Sequence, residues 1–360
     1  MSTQKAASST VLIVKLGAIG DVVMALPAAH ALWERGATID WVCGAAVAPL
    51  LACYPWIRTI VVDEPAILKG TTGERLRALW GLWRVLGGRR YDLCATLYYD
   101  ARYRAMTLPV RAGRRLMLSK TERETMLLPG RHHTDEYARI LLGLADGERA
   151  AALAPVRPER LPESPLPRTV DRSRVILVPG GARNLMRDDA LRRWPVENYV
   201  AVASELAARS VEVVLAGGPD DAWVLTYFAE LEIVDKVGQL SLLETVSLMD
   251  ESDVMVTHDT GPLHLAGITR AGVVSIFGPT DPRGRLPQRV NTVAIWGGEG
   301  FACRPCYDGF NFAACSNNGC MQQVTAEMVL REIALVIEQR ANGARPPRIV
   351  TPASTVMAEV

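Results

Sequence analysis

Residues 257–267 read THDTGPLHLAG. An apolar strand runs into His258, Asp259, Thr260 and Gly261, and Pro262 then stands at a first helical position, where its missing N–H costs nothing. Backbone N–H groups at a helix start, together with the helix dipole, make a site for an anion. Here they come from Thr260 to Leu263, with the Thr260 hydroxyl as a further donor and His264 one turn on, on the same side. Asp259 needs a different partner, a ribose hydroxyl or the backbone. The same residues also suit an ordinary capped helix.

Two further glycine turns follow strands. In VPGGARNLMRDDALRRWPVENY (178–199), Gly180 and Gly181 allow close backbone approach. Arg183, Arg187, Arg192 and Arg193 follow, and one or more of them can neutralise a diphosphate leaving group. A solvated basic loop is the alternative. In LAGGPDD (215–221), Asp220 or Asp221 can bind a ribose or a base, although such a strand end is often only a turn. Near the N-terminus, KLGAIGDVVMALPAAHAL (15–32) has the strand–turn–helix form of a phosphate loop, but Asp21 occupies the helix start and would repel a phosphate. A plain N-cap is its structural alternative. CRPCYDGFNFAACSNNGC (303–320) spaces Cys303, Cys306, Cys315 and Cys320 as C-x2-C-x8-C-x4-C. Four thiolates at such spacing suit one tetrahedral zinc or iron ion, and Asn311, Asn317, Asn318, Gly300, Gly309 and Gly319 provide turns. Four protein ligands leave no open position, so the role is structural.

These residues need elements to hold them. The first part of the chain alternates strands at 10–16, 38–43, 58–63 and 91–99 with helices at 21–35, 45–53, 73–87 and 133–144. Pro27 falls inside the first helix and predicts a kink there. APVRPERLPESPLPRTVDRSR (154–174) has five prolines in its first fourteen residues and reads as an extended linker. Strands then restart at 174–181, 211–218, 252–261 and 272–282, with helices at 196–209, 220–231, 241–250, 261–270 and 325–340. Alternation of this kind predicts parallel sheets covered by helices. The expected division is a first α/β domain over 1–160, a linker over 161–174, a second α/β domain over 175–340 and a flexible tail over 341–360. Ligands of such sheets bind at the carboxyl ends of the strands.

Bulk properties set the class. The chain has 360 residues, is 49% hydrophobic and 22% charged, and carries a net charge of +1, which gives no sign of a nucleic-acid partner. No apolar stretch reaches membrane-spanning length or looks like a signal peptide, so a cytoplasmic location is expected. There the seven cysteines do not suit a disulfide framework, and Cys43, Cys53 and Cys94 read as core. No G-x-G-x-x-G follows the first strand, which argues against a dinucleotide-dependent oxidoreductase. A binding module that has lost catalysis is a further alternative, opposed by Asp21 and the intact HDTGPLH.

VLIVKLGAIGDVVMALPAAHAL, RRWPVENY and HDTGPLHLAG followed by SIFGPTDP resemble, in order and spacing from about residue 11 to 340, the signature regions of the glycosyltransferase family 9 heptosyltransferases. The resemblance implies an α/β, GT-B fold: two Rossmann-like domains facing across a cleft, the nucleotide-sugar in the second and the acceptor mainly in the first. It implies heptose transfer from ADP-heptose to inner-core lipopolysaccharide, with inversion at the anomeric carbon and no catalytic metal. Asp21 matches the family's general base. Asp259, Thr260, Gly261 and His264 match positions that hold the ADP diphosphate, and Gly180 and Gly181 join them. Where members commonly have Lys before the RWP or HWP element, this chain has Arg192. Lys15 and Gly20 lie beside the opening loop on the acceptor side. ARYRAMTLPVRAGRR (101–115), with five arginines including Arg102 and Arg104 and no acid, suits an anionic acceptor or the inner-membrane surface, and equally a solvated basic face. A branch of the family that glycosylates autotransporters carries a cysteine-ligated iron, so serine side chains of a protein are an alternative acceptor, and another nucleotide-sugar an alternative donor.

Overall fold

The structure, a computed structural model, describes residues 9–145, 153–169, 171–183, 187–309 and 311–352. It divides into two units, Met1–Arg160 and Leu161–Val360. Strands and helices alternate in both.

Unit 1 contains β1 (Thr10–Val14), α1 (Ile19–Glu34), β2 (Thr38–Gly44), α2 (Ala48–Ala52), β3 (Ile57–Val62), α3 (Glu64–Leu68), α4 (Thr72–Leu86), β4 (Arg90–Thr96), α5 (Ala101–Met106), β5 (Arg111–Met117) and α6 (His133–Leu142). Its sheet is parallel, in the order β3-β2-β1-β4-β5. β1 is the centre, and Val11 to Val14 are all buried, as a strand covered on both faces requires. Helix starts are set locally: a capping box between Thr71 and Glu74 opens α4, whereas α1 begins at Ala18 with no side-chain cap. Pro27 lies within α1, among its buried residues. The basic stretch 101–115 contains α5 and the edge strand β5. Its exposed arginines hid the strand from a search for apolar runs, and such charges are usual on a sheet edge.

Unit 2 contains β6 (Arg174–Leu177), α7 (Val196–Ala208), β7 (Glu212–Leu215), α8 (Leu225–Phe228), β8 (Val234–Asp235), α9 (Leu242–Asp250), β9 (Val254–His258), α10 (Gly261–Gly267), β10 (Gly272–Phe277), β11 (Thr292–Trp296), α11 (Gly319–Gln322), α12 (Ala326–Asn342) and β12 (Arg348–Val350). The sheet is again parallel, in the order β12-β11-β10-β9-β6-β7-β8. β6, β9, β10 and β11 are buried throughout, and α7 and α12 lay their apolar residues against them. The C-terminal segment expected to be a flexible tail supplies β12, which pairs Val293 with Arg348 and Ile295 with Val350. Three residues among prolines and small side chains were too short a β signal to read. Residues 353–360 of that segment lie outside the described residues.

The order of each sheet reverses once. In unit 1 the chain builds outward from β1 to β3 and then returns to place β4 on the other side of β1. In unit 2 it builds from β6 to β8 and returns to place β9 beside β6. Loops leaving the carboxyl ends at such a reversal diverge, and ligands of open α/β sheets bind in the gap.

The described residues of the proline-rich stretch before Arg174, where β6 begins, form no helix or strand, yet both of its ends are tied down. Tyr54 Oη donates to Val156 O at 2.9 Å and Glu159 N to Cys53 O at 3.2 Å, both in unit 1. In unit 2 the wholly buried Arg174 donates to Glu212 at 2.6 Å, Leu166 O at 2.9 Å and Pro167 O at 2.6 Å. Replacing it leaves one carboxylate and two carbonyls without their donor. Arg174→Met is therefore expected to cost about 3 kcal/mol of stability, measured as an earlier transition in urea; a wild-type transition would deny Arg174 this anchoring role.

Candidate active site

At the reversal in unit 1, β1 ends and Lys15 follows. Its side chain is buried, and its ammonium donates to Asp21 Oδ2 at 2.8 Å. Asp21 is the third residue of α1, so it is not the N-cap; that position belongs to Ala18. The Asp21 side chain is 31% exposed against 2% for Lys15, so the carboxylate can meet a solute and the ammonium cannot. Lys15 also stands 4.9 Å from the centre of the Tyr98 ring, just beyond the end of β4. An ion pair and an aromatic face together offset the cost of burying its charge.

A second carboxyl closes this corner. Glu64, the first residue of α3, lies against the backbone of Gly17 and Gly44. A Cβ on Gly44 would fall 2.3 Å from Glu64 Oε2, so that close approach requires glycine. Burial raises the pKa of Glu64, and the Lys15 charge opposes the rise. Of the remaining acceptor-side residues, Gly20 is buried in α1 and Arg104 is exposed. Arg102 is engaged internally: it donates to Asp100 at 2.9 and 2.5 Å and to the carbonyl of Leu68.

At the reversal in unit 2, the loops after β6, β7 and β9 meet. The space left by the glycines is filled by the chain itself. Asp221 accepts from Gly181 N at 2.7 Å and from Gly218 N at 2.8 Å, and a Cβ on Gly180 would lie 2.3 Å from its Cγ. Asp221, one of the two acids that the LAGGPDD pattern offered for a ribose or a base, thus clamps two loops together. Gly181 adopts φ +81°, and a Cβ there would come 2.8 Å from Thr260 Oγ1. That hydroxyl accepts from Ala182 N at 2.8 Å and does not cap α10. The Leu263 N–H is taken by Thr260 O at 3.1 Å, so the anion site expected at this short helix lacks one of its anticipated donors.

Asp259 is enclosed, its side chain only 2% exposed. Arg285 Nε lies 3.7 Å from its carboxylate and Arg192 Nη1 3.8 Å, both longer than hydrogen bonds. Burial alone would raise its pKa; Arg285, then Arg192, His264 and Thr280 outweigh burial and hold it down to about 2. Asp189 lies 3.4 Å from Arg192 and 3.3 Å from Arg187. Arg193 turns away, donating to Gly181 O at 3.0 Å and to Asp188. His258, next along, is a core residue whose Nδ1 is 3.2 Å from Tyr199 Oη.

The cysteine loop lies over these arginines. The Arg192 guanidinium is 5.5 Å from the ring centres of both Tyr307 and Phe312, and that of Arg285 is 5.4 Å from Tyr307. The four thiols share the loop, and burial raises the pKa of Cys306 and, to about 11, that of Cys320. Among the described residues no three His, Cys, Asp or Glu side chains converge as ligands of one metal ion.

Residues 130–311 match the family model "Glycosyltransferase family 9 (heptosyltransferase)". The chain belongs to this family. The transferase is 23% identical over 303 residues to the lipopolysaccharide core heptosyltransferase OpsX of Haemophilus influenzae, covering 78% of this chain and 82% of that protein. Among solved structures, Escherichia coli heptosyltransferase WaaC with ADP superposes with a TM-score of 0.67 at 18% identity, over 91% of this chain and 99% of that one. The iron-containing dodecameric glycosyltransferase TibC of enterotoxigenic E. coli gives 0.59 at 16%, over 93% and 77%. The GT-B fold expected from the sequence is borne out.

Within the transferase, Lys15, Gly20 and Asp21 fall at one reversal, and Gly180, Gly181, Arg192, Asp259, Thr260, Gly261 and His264 around the other. Sequence reasoning did not select Glu64, Thr280, Arg285, Tyr307 or Phe312. Thr280 sits inside the FGPTDP motif and Arg285 just after it, so attention to its polar residues would have found them; nothing in the spacing marks the other three.

His258 predicts a pH dependence. Burial pushes its pKa down to about 3, against the attraction of Asp259. Between that value and the unfolded value of about 6.5, the unfolded chain binds a proton that the folded chain does not. The contribution to stability is whole above that range and is lost as pH falls, at up to about 1.4 kcal/mol per pH unit. Acid titration of the unfolding midpoint should show this decline below neutrality, and His258→Gln should flatten it; an unaltered slope in the variant assigns the sensitivity elsewhere.

Proposed function

We propose that the transferase moves a heptose from ADP-heptose to an inner-core lipopolysaccharide acceptor with inversion at the anomeric carbon, Asp21 acting as general base. The match to the heptosyltransferase family over residues 130–311 carries this reading. The names of the relatives support it: OpsX is a lipopolysaccharide core heptosyltransferase, and WaaC was solved with ADP. Unit 2 supplies cations for a diphosphate in Arg192 and Arg285. Unit 1 supplies a carboxylate that is partly open and paired with Lys15.

Chemically, the acceptor hydroxyl attacks the anomeric carbon as the bond to ADP breaks. Its proton becomes acidic as the new C–O bond forms, so a weak base suffices if it is held in place. Lys15 does the holding, since Asp21 can swing away only by leaving a buried ammonium without its partner. The negative charge on departing ADP goes to the guanidiniums of unit 2. No described helix is long and apolar enough to cross a membrane. A lipid-linked acceptor then calls for peripheral contact with the cytoplasmic face of the inner membrane, for which exposed Arg104 and the arginines of β5 are suited.

Asp21→Asn is expected to lower kcat by roughly 10²–10⁴-fold while the KM for ADP-heptose stays near that of wild type, and NMR of the product should show the inverted linkage. Wild-type turnover in the variant, or retention of configuration, would refute the mechanism. Assays on delipidated core saccharide and on a purified autotransporter should show transfer to the saccharide; transfer to protein serine alone replaces this acceptor with the protein one, and a preference for another nucleotide-sugar replaces the donor.

We also propose that Cys303, Cys306, Cys315 and Cys320 hold one structural zinc or iron ion. Four sulfur donors on one loop are the ligand type that both metals prefer, and the thiols, which do not converge in this structure, would be drawn together by the ion. When bound, the ion would cross-link the loop. Elemental analysis of the purified protein should find one such ion per chain, lost when Cys306 and Cys320 are replaced by Ser; a metal-free wild-type protein sinks the proposal.

A further inference from the structure

One side of α4 is apolar and turned to solvent. Leu79, Leu82 and Leu86 are buried and fix which side of the helix meets the core. Successive helical residues turn by about 100°, so Leu76, Trp80 and Trp83 share a sector roughly 60° wide beside that buried side. Leu76 is 57% exposed and Trp80 62%. Trp83 is half-buried, and its Nε1 donates to Ala105 O at 3.0 Å, so the sector borders α5. The same carbonyl accepts from Leu108 N at 3.3 Å, which sets Leu108, 64% exposed, beside Trp83. Single exposed apolar side chains are ordinary. Here a leucine and a tryptophan stand one helical turn apart, and a second leucine joins them from the neighbouring segment.

Cations frame this strip. Arg77 and Arg84 lie farther round α4 from the core, and both are exposed, as is Arg104 on α5. Among the described residues none of these three guanidiniums forms an ion pair. Residues 72–86 and 101–118 together hold eight arginines and one acid, Glu74, which is engaged with Thr71 in the capping box of α4. A second copy of this face would set arginine against arginine. A nucleic-acid backbone would satisfy the arginines but leave Leu76 and Leu108 in water. An anionic bilayer suits both kinds of side chain: tryptophan is favoured at headgroup level, leucine in the acyl region, and arginine beside lipid phosphate.

We propose that the face formed by Leu76, Trp80 and Leu108 docks on an anionic phospholipid bilayer, with the apolar side chains entering the interface and Arg77, Arg84 and Arg104 pairing with lipid phosphates. The choice of membrane rests on the lipid-linked acceptor reading above; the face itself is read from α4 and α5. Three apolar side chains give reversible contact, not permanent insertion. The unit that carries Asp21 is then the one held at the membrane.

Co-sedimentation of the full-length protein with vesicles tests this, one set made of phosphatidylcholine with phosphatidylglycerol and the other of phosphatidylcholine alone. Wild type is expected to bind the first set, less so as salt rises, and the second far more weakly. Leu76→Ser/Trp80→Ser should weaken binding about tenfold or more. Arg77→Gln/Arg84→Gln should weaken it roughly 25-fold, about fivefold for each arginine. All four side chains are exposed, so thermal midpoints should stay near wild type. Turnover on delipidated saccharide should be unchanged in both variants, while the KM for a lipid-linked acceptor in vesicles rises. Wild-type vesicle affinity in Leu76→Ser/Trp80→Ser overturns the proposal, as does equal binding of wild type to both vesicle sets. Self-association that Trp80→Ser abolishes in sedimentation velocity gives the face to a second copy and overturns it too. Transfer to protein serine alone, with vesicle binding as expected, refutes the acceptor reading and leaves the docking face standing.

Discussion

Each sheet reverses its strand order once, and everything chemical in this protein follows from how the polar groups at the reversal are neutralised. A parallel sheet buries both faces of its central strands, so side chains that can meet solutes must sit where the loops diverge. The two reversals solve the problem with opposite signs. In unit 1 a buried cation, Lys15, is matched by a carboxylate that stays partly open to solvent, so the group left available is an anion. In unit 2 a buried anion, Asp259, is flanked by guanidiniums, so the groups left available are cations. One topology thus leaves a partly open carboxylate in one unit and guanidiniums around a buried carboxylate in the other, and the charge chosen for burial decides which is which.

The electrostatics also explain how a carboxylate is accommodated at this helix start. A carboxylate at the third position of α1 is favoured by the helix dipole and by Lys15. Glu64 shares that corner but is pushed toward its neutral form by burial. Two carboxyls thus share one ammonium, the one at Asp21 paired with it directly and the one at Glu64 raised in pKa by burial.

What could be read beforehand depended on how far a signal extends along the chain. Continuous apolar runs such as VLIV, VILV and VVSIF announce buried parallel strands, because nothing else packs such runs on both sides. β5 escaped because it lies at an edge and is rich in arginine, and β12 because it has three residues. The family resemblance pointed to Asp21, which lies at the third position of α1, and to Asp259, which directly follows β9. It could not show that Lys15, six residues earlier, would turn to meet Asp21, since that depends on the path of the turn between β1 and α1. Asp221 was legible as an acid after a glycine pair, but its hold on Gly181 was not, because Gly181 lies 40 residues away. The contact of Tyr307 and Phe312 with Arg192 and Arg285 joins three separate segments and has no periodicity to reveal it.

The Asp221 clamp has an evolutionary implication. One carboxylate grips the backbone of two glycine turns that belong to different strands, and the Cβ of any larger residue at Gly180 or Gly217 would collide with it. The two turns can drift only as a unit. A lineage that reshapes residues 217–221 must therefore remodel residues 180–182 in the same stroke, because one carboxylate holds both.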